Sequence, residues 1–385
     1  LFPANAIQDS FGTSDSVGIS SYYFETVAAA GGLGDYELWA WGLNNQGALG
    51  QNDIINRSSP VQIPGTQWSI ASAERATNSS THHAIKSDRT LWGWGSANYA
   101  GLNVAFNYSS PVQLPGTEWN SVSGWRSSLA TKTDGTLWTW GYGGQGALGL
   151  NDEVPRSSPI QIPGTQWSNI TDHTVYGSYA IKTDGTLWAW GSNSGGQLGI
   201  NDLAQRSSPT QIPGTQWVGV RGGQYRGLAT KTDGTLWQWG RLSAGETGTN
   251  DNLNYSSPKQ IPGTQWDTTK FDTDLYTSIA AKTDGTLWVW GWNNNGQLGL
   301  NETGALYGRS SPTQIPGTQW NDLGLGFYYG TATKTDGTLW VWGDGVDGQL
   351  GLNDLIDRSS PTQVPGTQWQ ITSGTYSSTF ALKTP

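Results

Sequence analysis

The chain has 385 residues, with 54 glycines, 23 tryptophans, no cysteine, no methionine and only 13% charged residues. A net charge of −9 excludes the clustered Lys and Arg that nucleic acids and anionic membranes demand, and without cysteine there is neither a disulfide framework nor thiol chemistry. No apolar run reaches the roughly 18 residues that a membrane-spanning helix needs, so no membrane insertion is expected. A chain opening at Leu1 rather than Met is read as processed or as part of a longer product.

From the N-terminus, residues 1 to 37 stand apart as an N-terminal arm or as closing strands. Within them, Tyr22 to Ala30 looks like half of an inner hairpin. Residues 38 to 385 are a repeat array. Leu-Trp-x-Trp-Gly occurs seven times, led by Trp39, Trp92, Trp138, Trp188, Trp237, Trp288 and Trp340. It alternates with Pro-Gly-Thr-Gln/Glu-Trp, ending at Trp68, Trp119, Trp167, Trp217, Trp266, Trp320 and Trp369. Only Trp125 and Trp292 fall outside these motifs.

Each repeat of about 50 residues reads as short strands. Lys-Thr-Asp-Gly-Thr joins two of them in five copies, and its Asp-Gly pair is expected to supply positive φ angles for a tight hairpin. The Gly-Gln-Leu-Gly, Asn-Asp and Ser-Ser-Pro segments that follow mark loops. No sustained helical period is present. Four short strands per repeat, seven times, predict an all-β, seven-bladed β-propeller in which the repeated tryptophans are wedges between sheets. The last copy, Trp369 to Lys383, stops where the others turn into Asp-Gly-Thr-Leu-Trp. Leu38 to Gly42 is therefore expected to complete that blade. Either residues 1 to 37 then form an arm outside the ring or the C-terminus is the surplus half; the arm is favoured.

The pattern from Trp119 to Gly149, running through Lys-Thr-Asp-Gly-Thr-Leu-Trp-x-Trp-Gly, resembles the regulator-of-chromosome-condensation repeat family. The resemblance recurs over residues 38 to 385 and implies a seven-bladed propeller. Relatives include a GTPase exchange factor, an ultraviolet-B photoreceptor and a secreted inhibitor of β-lactamases. The His of the exchange factors' Gly-x-Asp-His loop is replaced here by Ser127, Gly177, Arg226, Thr277, Tyr329 and Ser378. Of the photoreceptor's repeated Gly-Trp-Arg-His-Thr, only Gly124-Trp125-Arg126-Ser127-Ser128 is similar. The resemblance thus implies a bacterial or viral member that is not an exchange factor.

Catalytic chemistry has little to stand on. His82, His83 and His173 show no metal-ligand spacing and are read as exposed loop imidazoles, and no nucleophile elbow or phosphate loop occurs. The protein is expected not to be an enzyme and to use no cofactor and no metal. Asn-Asp turns recur at Asn52-Asp53, Asn151-Asp152, Asn201-Asp202, Asn250-Asp251 and Asn353-Asp354. Asn301-Glu302 is a variant of this turn, and Arg57, Arg156, Arg206, Arg309 and Arg358 are each expected to pair with the Asp of their own blade's Asn-Asp turn.

Function is sought where the repeats differ. A few residues before the repeat Lys, six copies carry an aromatic: Trp125, Tyr176, Tyr225, Tyr276, Tyr328 and Tyr376. Arg126, Arg226, Phe327 and Tyr329 stand beside them. Because in the resembled family this loop opens onto one face around the central axis, they are expected to form an aromatic crown there, made of the residue types that form protein hot spots and stack on sugars. The expected function is non-catalytic recognition of a protein or glycan, extracellular or at a cell or virion surface. The alternative is a structural subunit packing against copies of itself.

Overall fold

The computed structural model describes residues 35–385, except 74–80, 97–99, 104–105, 125, 175–176, 242–246, 252, 275, 305–307 and 376. Twenty-eight strands, from β1 (Glu37–Gly42) to β28 (Ser378–Lys383), form seven four-stranded antiparallel sheets, with one 3-10 turn at Gly144–Gly146. The predicted seven-bladed β-propeller is the observed fold.

One blade shows the plan. β3 (Trp68–Ala73) starts at the Trp of Pro-Gly-Thr-Gln-Trp, β4 (Thr81–Lys86) ends at the repeat Lys, β5 (Leu91–Gly95) is Leu-Trp-x-Trp-Gly, and β6 (Tyr108–Gln113) carries Ser-Ser-Pro. The first strands of successive blades pack on one another, and β27 (Trp369–Gly374) returns to β3, so these strands line the axis. The fourth strands are the outer edges. In β2 (Arg57–Gln62) the register slips between Ala40↔Val61 and Gly42↔Arg57, and Pro60 sits in the resulting bulge. A proline there loses no ladder bond and blocks pairing by another chain.

Closure joins the two ends of the chain. The final sheet runs β2, β1, β28, β27, with register from Glu37↔Lys383 to Gly42↔Ser378. Leu38 to Gly42 thus completes the last blade. Tyr36 bridges to Trp68 and Glu37 opens β1, so the array begins inside the stretch read as an arm. Residues 1–34, with the Tyr22 to Ala30 hairpin half, lie outside the described residues.

Local chemistry explains the Lys-Thr-Asp-Gly-Thr turn. The glycine alone takes positive φ, +77° at Gly135, and its N–H bonds the carbonyl of Lys132, so of the Asp-Gly pair expected to supply positive φ angles only the glycine does so. The Asp134 carboxylate accepts from the Thr136 N–H (2.9 Å) and hydroxyl (2.7 Å), and that hydroxyl accepts from the Trp138 indole (2.9 Å). The repeat Lys lies over two indoles: Lys182 is 4.7 Å from the Trp167 ring and 4.6 Å from the Trp188 ring. This Trp-Lys-Trp stack, a cation–π arrangement, was not read from the sequence. In one copy Arg89 replaces the glycine and is held at φ +64°.

Blades meet through the second Trp of Leu-Trp-x-Trp-Gly. Trp41, Trp94, Trp140, Trp190, Trp239, Trp290 and Trp342 are completely buried. The Trp239 indole donates to the Gln197 carbonyl (2.9 Å) in the loop of the preceding blade, and Trp41 does the same to Gln349 (2.8 Å) across the closure. The last glycine of Gly-Gln-Leu-Gly lies against the wedge: Gly199 has φ +68°, and a Cβ there would fall 2.7 Å from Trp239 Nε1. The same loop stitches the outer edge. Asn52, Asn103, Asn151, Asn201, Asn250, Asn301 and Asn353, all at positive φ, donate their backbone N–H to a serine carbonyl of the next blade at 2.6 to 2.9 Å.

The expected ion pairs are present: Arg57–Asp53, Arg206–Asp202 and Arg358–Asp354 at 2.6 Å, Arg156–Asp152 at 2.7 Å, and Arg309–Glu302 at 2.6 Å. Tyr255 takes the Arg place and donates to Asp251 at 2.6 Å. The Val154 amide and then the Arg156 guanidinium hold the Asp152 carboxyl below its ordinary range.

The histidines correct the sequence reading. His82 and His83 are not loop residues; both lie in β4 and are 1% exposed. His82 packs on Phe380 at 4.6 Å, and His83 packs edge-on to Trp140 while its Nε2 meets the Ala100 carbonyl at 3.3 Å. Two adjacent histidines in a strand must point to opposite faces, and here both faces are covered by neighbouring blades. The backbone of His173 is in β11 (Trp167–Thr174).

Three outcomes follow from this packing. Gly199→Ala forces a Cβ onto the wedge and into positive φ, and should lower stability by about 2–4 kcal/mol in urea unfolding. Arg89→Gly relieves positive φ at a half-buried turn position and, the loss of the long 3.3 Å bond from its guanidinium to Asn120 included, should raise stability by about 0.5–1 kcal/mol. Burial depresses His82 to about 3 and His83 to about 4, against 6.5 when unfolded. Their contribution to stability is therefore complete above pH 6.5 and is lost as pH falls toward those values, with a slope of up to about 1.4 kcal/mol per pH unit for each imidazole. His82→Phe combined with His83→Gln should flatten the fall in melting temperature between pH 6.5 and pH 5.

Candidate binding face

Strand direction assigns each loop to a face. Thr81 pairs with Gly95, so the loop entering the second strand and the long loop leaving the third share one end of the blade. The Asp-Gly turns and Pro-Gly-Thr-Gln loops occupy the other. On the first face the two loops are tied together: Tyr142, Arg241, Trp292 and Asp344 donate their N–H to the carbonyls of Arg126, Tyr225, Tyr276 and Tyr328. The glycine ending Leu-Trp-x-Trp-Gly makes room for this contact; a Cβ on Gly291 would lie 2.0 Å from the Tyr276 carbonyl oxygen.

These bonds also fix which crown residues correspond. Arg126, Tyr225, Tyr276 and Tyr328 occupy the same structural place, immediately before the second strand, whereas Trp125 and Tyr376 fall one residue earlier in the chain. Trp125, Tyr176 and Tyr376 lie outside the described residues.

The structure separates the remaining candidates into two groups. Tyr225, Tyr276, Tyr328 and Arg126 are half-buried at the face. Arg226 and Tyr329 are not on it, being 1% and 0% exposed. They begin second strands, β16 (Arg226–Lys231) and β24 (Tyr329–Lys334), and turn into the joint with the next blade. Arg226 Nε donates to the Asp274 carbonyl (3.1 Å), and the Tyr329 hydroxyl donates to the Ser378 carbonyl (2.5 Å) and accepts from the Thr375 N–H (3.1 Å).

Two adjacent blades build one aromatic cluster. Tyr276 stacks on Trp292 with centroids 4.2 Å apart and planes at 10°. Tyr328 lies nearly parallel to Tyr276 at 6.3 Å, and Phe327 meets Tyr328 edge-on at 4.3 Å. The backbone beneath is fixed: the buried Asp274 carboxylate accepts the N–H groups of Tyr276 (2.8 Å) and Thr277 (2.7 Å), and Phe327 N–H reaches Thr375 in the following blade (3.1 Å). In the blade preceding that of Tyr276, the Arg241 guanidinium covers the Tyr225 ring at 5.8 Å. Trp292 is the site residue that the sequence reading missed. Its signal was that it is one of only two tryptophans outside the repeated motifs.

Other places carry less chemistry. Asp322, on the axial strand β23 (Trp320–Leu325), accepts the Thr372 N–H of the closing blade at 2.9 Å; burial raises its carboxyl to about 6, opposed by that bond and by Lys270 and Arg221. Its role is an inter-blade clasp. A shallow cleft beside Trp188 is floored by the Trp167 and Lys182 stack common to the blades. No group of three or more His, Asp or Glu side chains suited to a metal occurs among the described residues.

Comparison with known proteins agrees with this architecture. The yeast (Saccharomyces cerevisiae) protein Prp20p, whose structure is described together with its binding to Gsp1p and histones, superposes with a TM-score of 0.79 at 15% identity, covering 92% of this chain and 93% of that one. Human WBSCR16 gives 0.78 at 20% identity, covering 91% and 99%. At such identities the likeness concerns the fold. The Arabidopsis thaliana ultraviolet-B receptor UVR8 is 32% identical over 83 residues, which span 21% of this chain and 18% of that relative. A regulator of chromosome condensation (RCC1) repeat matches residues 336–381, and the RCC1-like domain matches residues 26–329. With more than half of its length matched in this way, the chain belongs to the RCC1-like domain family.

Proposed function

We propose that the protein is a non-catalytic recognition propeller that binds a partner protein through the face bearing Tyr276, Trp292, Phe327 and Tyr328. One observation carries the reading. The repeat tryptophans are consumed by joints and stacks, whereas this cluster is assembled from residues outside the repeat motifs, on loops fixed by backbone hydrogen bonds. Rigid, half-buried aromatics lose little conformational freedom on binding and dominate interface energetics. Protein binding also fits the structural relatives: Prp20p binds Gsp1p and histones, and yeast RCC1 has been solved with Kap60 bound to it. A glycan is the second reading, favoured by the stacked Tyr276 and Trp292 faces alone.

The test compares immobilised wild-type chain with Tyr276→Ala/Tyr328→Ala for capture from extracts and medium of the source cells, with a glycan array in parallel. Each hot-spot aromatic contributes about 2 kcal/mol, so the double variant should weaken capture of the specific partner by about 100-fold or more while melting like the wild type. Undiminished capture, or a variant that melts as early as Trp190→Ala, would show the tyrosines to be caps on their blades.

A further inference from the structure

The outer part of the same face carries a feature that neither the fold nor the aromatic cluster uses. At the tip of the long loop, just before the outermost strand, Ile55, Phe106, Val154, Leu203, Leu253 and Ile356 stand 55% to 62% exposed, in six different blades. Two tips hold a second aliphatic, Ile54 at 66% and Leu355 at 59%. Isolated exposed apolar residues are ordinary, but the same class repeated blade after blade around one rim is an apolar surface.

The tips are held rather than loose. The Asp53 carboxylate accepts the Ile55 N–H at 2.9 Å and pairs with Arg57, whose guanidinium donates back to the Ile55 carbonyl at 2.8 Å. Asp152 with Val154 and Arg156, and Asp354 with Ile356 and Arg358, repeat the clamp. The ion pairs thus hold apolar side chains out in water in a fixed geometry.

We infer that a second copy of this chain seats on this rim, forming a face-to-face homodimer. Three arguments select that occupant. A small partner would touch only a few tips of an array that spans six of the seven blades, whereas an identical array meets them all. Eight side chains, each offering on the order of 100 Å², give roughly 800 Å² per copy, the share one partner contributes to a standard interface. Each rim Arg lies beside its own carboxylate at 2.6 or 2.7 Å. These pairs place both signs of charge around the rim, and a two-fold-related copy can set Arg against Asp. The chain's net charge of −9 gives no such match to an anionic membrane. A copy seated here covers Tyr276 and Trp292, so self-association and partner capture exclude one another.

Sedimentation velocity on the full chain, from roughly 0.1 to 100 µM, tests the inference. The wild type should sediment as a dimer in the upper part of that range. Ile55→Asp/Leu203→Asp/Ile356→Asp should raise the dimer dissociation constant at least 100-fold with an unchanged melting temperature, and the corresponding triple Ser variant should do the same with no added charge. Tyr276→Ala/Tyr328→Ala should remain dimeric, which separates this result from failure of the proposed function. A wild type that stays monomeric throughout, or a dimer indifferent to both rim variants, overturns the inference. So does a monomeric wild type that floats with phosphatidylcholine vesicles while the rim variants do not.

Discussion

The ring depends on one contact: an indole pressed against a glycine of the preceding blade. Sheets packed radially leave wedge-shaped gaps, and only a large flat side chain fills them at the density of a protein interior. Trp239 fills one gap, and its burial is possible because Gly199 has no Cβ and takes positive φ. The N–H that burial would otherwise strand is given to Gln197. Shape, backbone conformation and hydrogen bonding are thus solved together by a few residues, and the solution is repeated around the axis. Where the pattern lapses, the substitute is visible: Trp290 donates to the Gln238 side chain at 3.2 Å, and His83 occupies the Ala100 carbonyl beside Trp140.

The Gly-Gln-Leu-Gly to Asn-Asp loop does three jobs in seven residues, as from Gly196 to Asp202. It cradles the wedge, it passes the Asn backbone N–H to the next blade, and its acid clamps the Arg that shapes the rim. Because the repeated inter-blade contacts are met inside the repeat motifs, the loop before the second strand is left free to vary from blade to blade. That freedom lets aromatic side chains gather at Tyr276, Trp292, Phe327 and Tyr328. It also has a limit, since Arg226 and Tyr329, one residue further on, are drawn into the core.

The fold was legible because its signal is periodic: seven Trp pairs, seven Pro-Gly-Thr loops and a truncated last copy predict both the blade count and the closure onto Leu38 to Gly42. The ion pairs were legible from spacing for the same reason. The site was only half legible. Counting back from the repeat Lys cannot tell a loop tip from the first residue of a strand, and a one-residue shift moves a side chain from the face into the joint. Tyr328 and Tyr329 differ by that single step. His82 and His83 were misread because a polar pair in a variable segment looks like a loop, although strand pairing continues through it. Trp292 was noticed as an exception but not joined to Tyr276, a contact between segments that only the folded ring brings together.

The central claim is that the joints are equivalent, including the one where the two ends of the chain meet. Native-state hydrogen exchange of the buried indole N–H groups tests it directly, because exchange of a buried donor reports the free energy of the opening that frees it. Trp41, which bonds across the closure to Gln349, should be protected to the same degree as Trp190, Trp239 and Trp342, which bond to Ala147, Gln197 and Gln297 within the continuous chain. Equal protection means that the ring opens as one unit. Exchange at Trp41 faster by about 100-fold or more, a difference of about 2.7 kcal/mol, would mean that the closing blade parts on its own and would contradict the account.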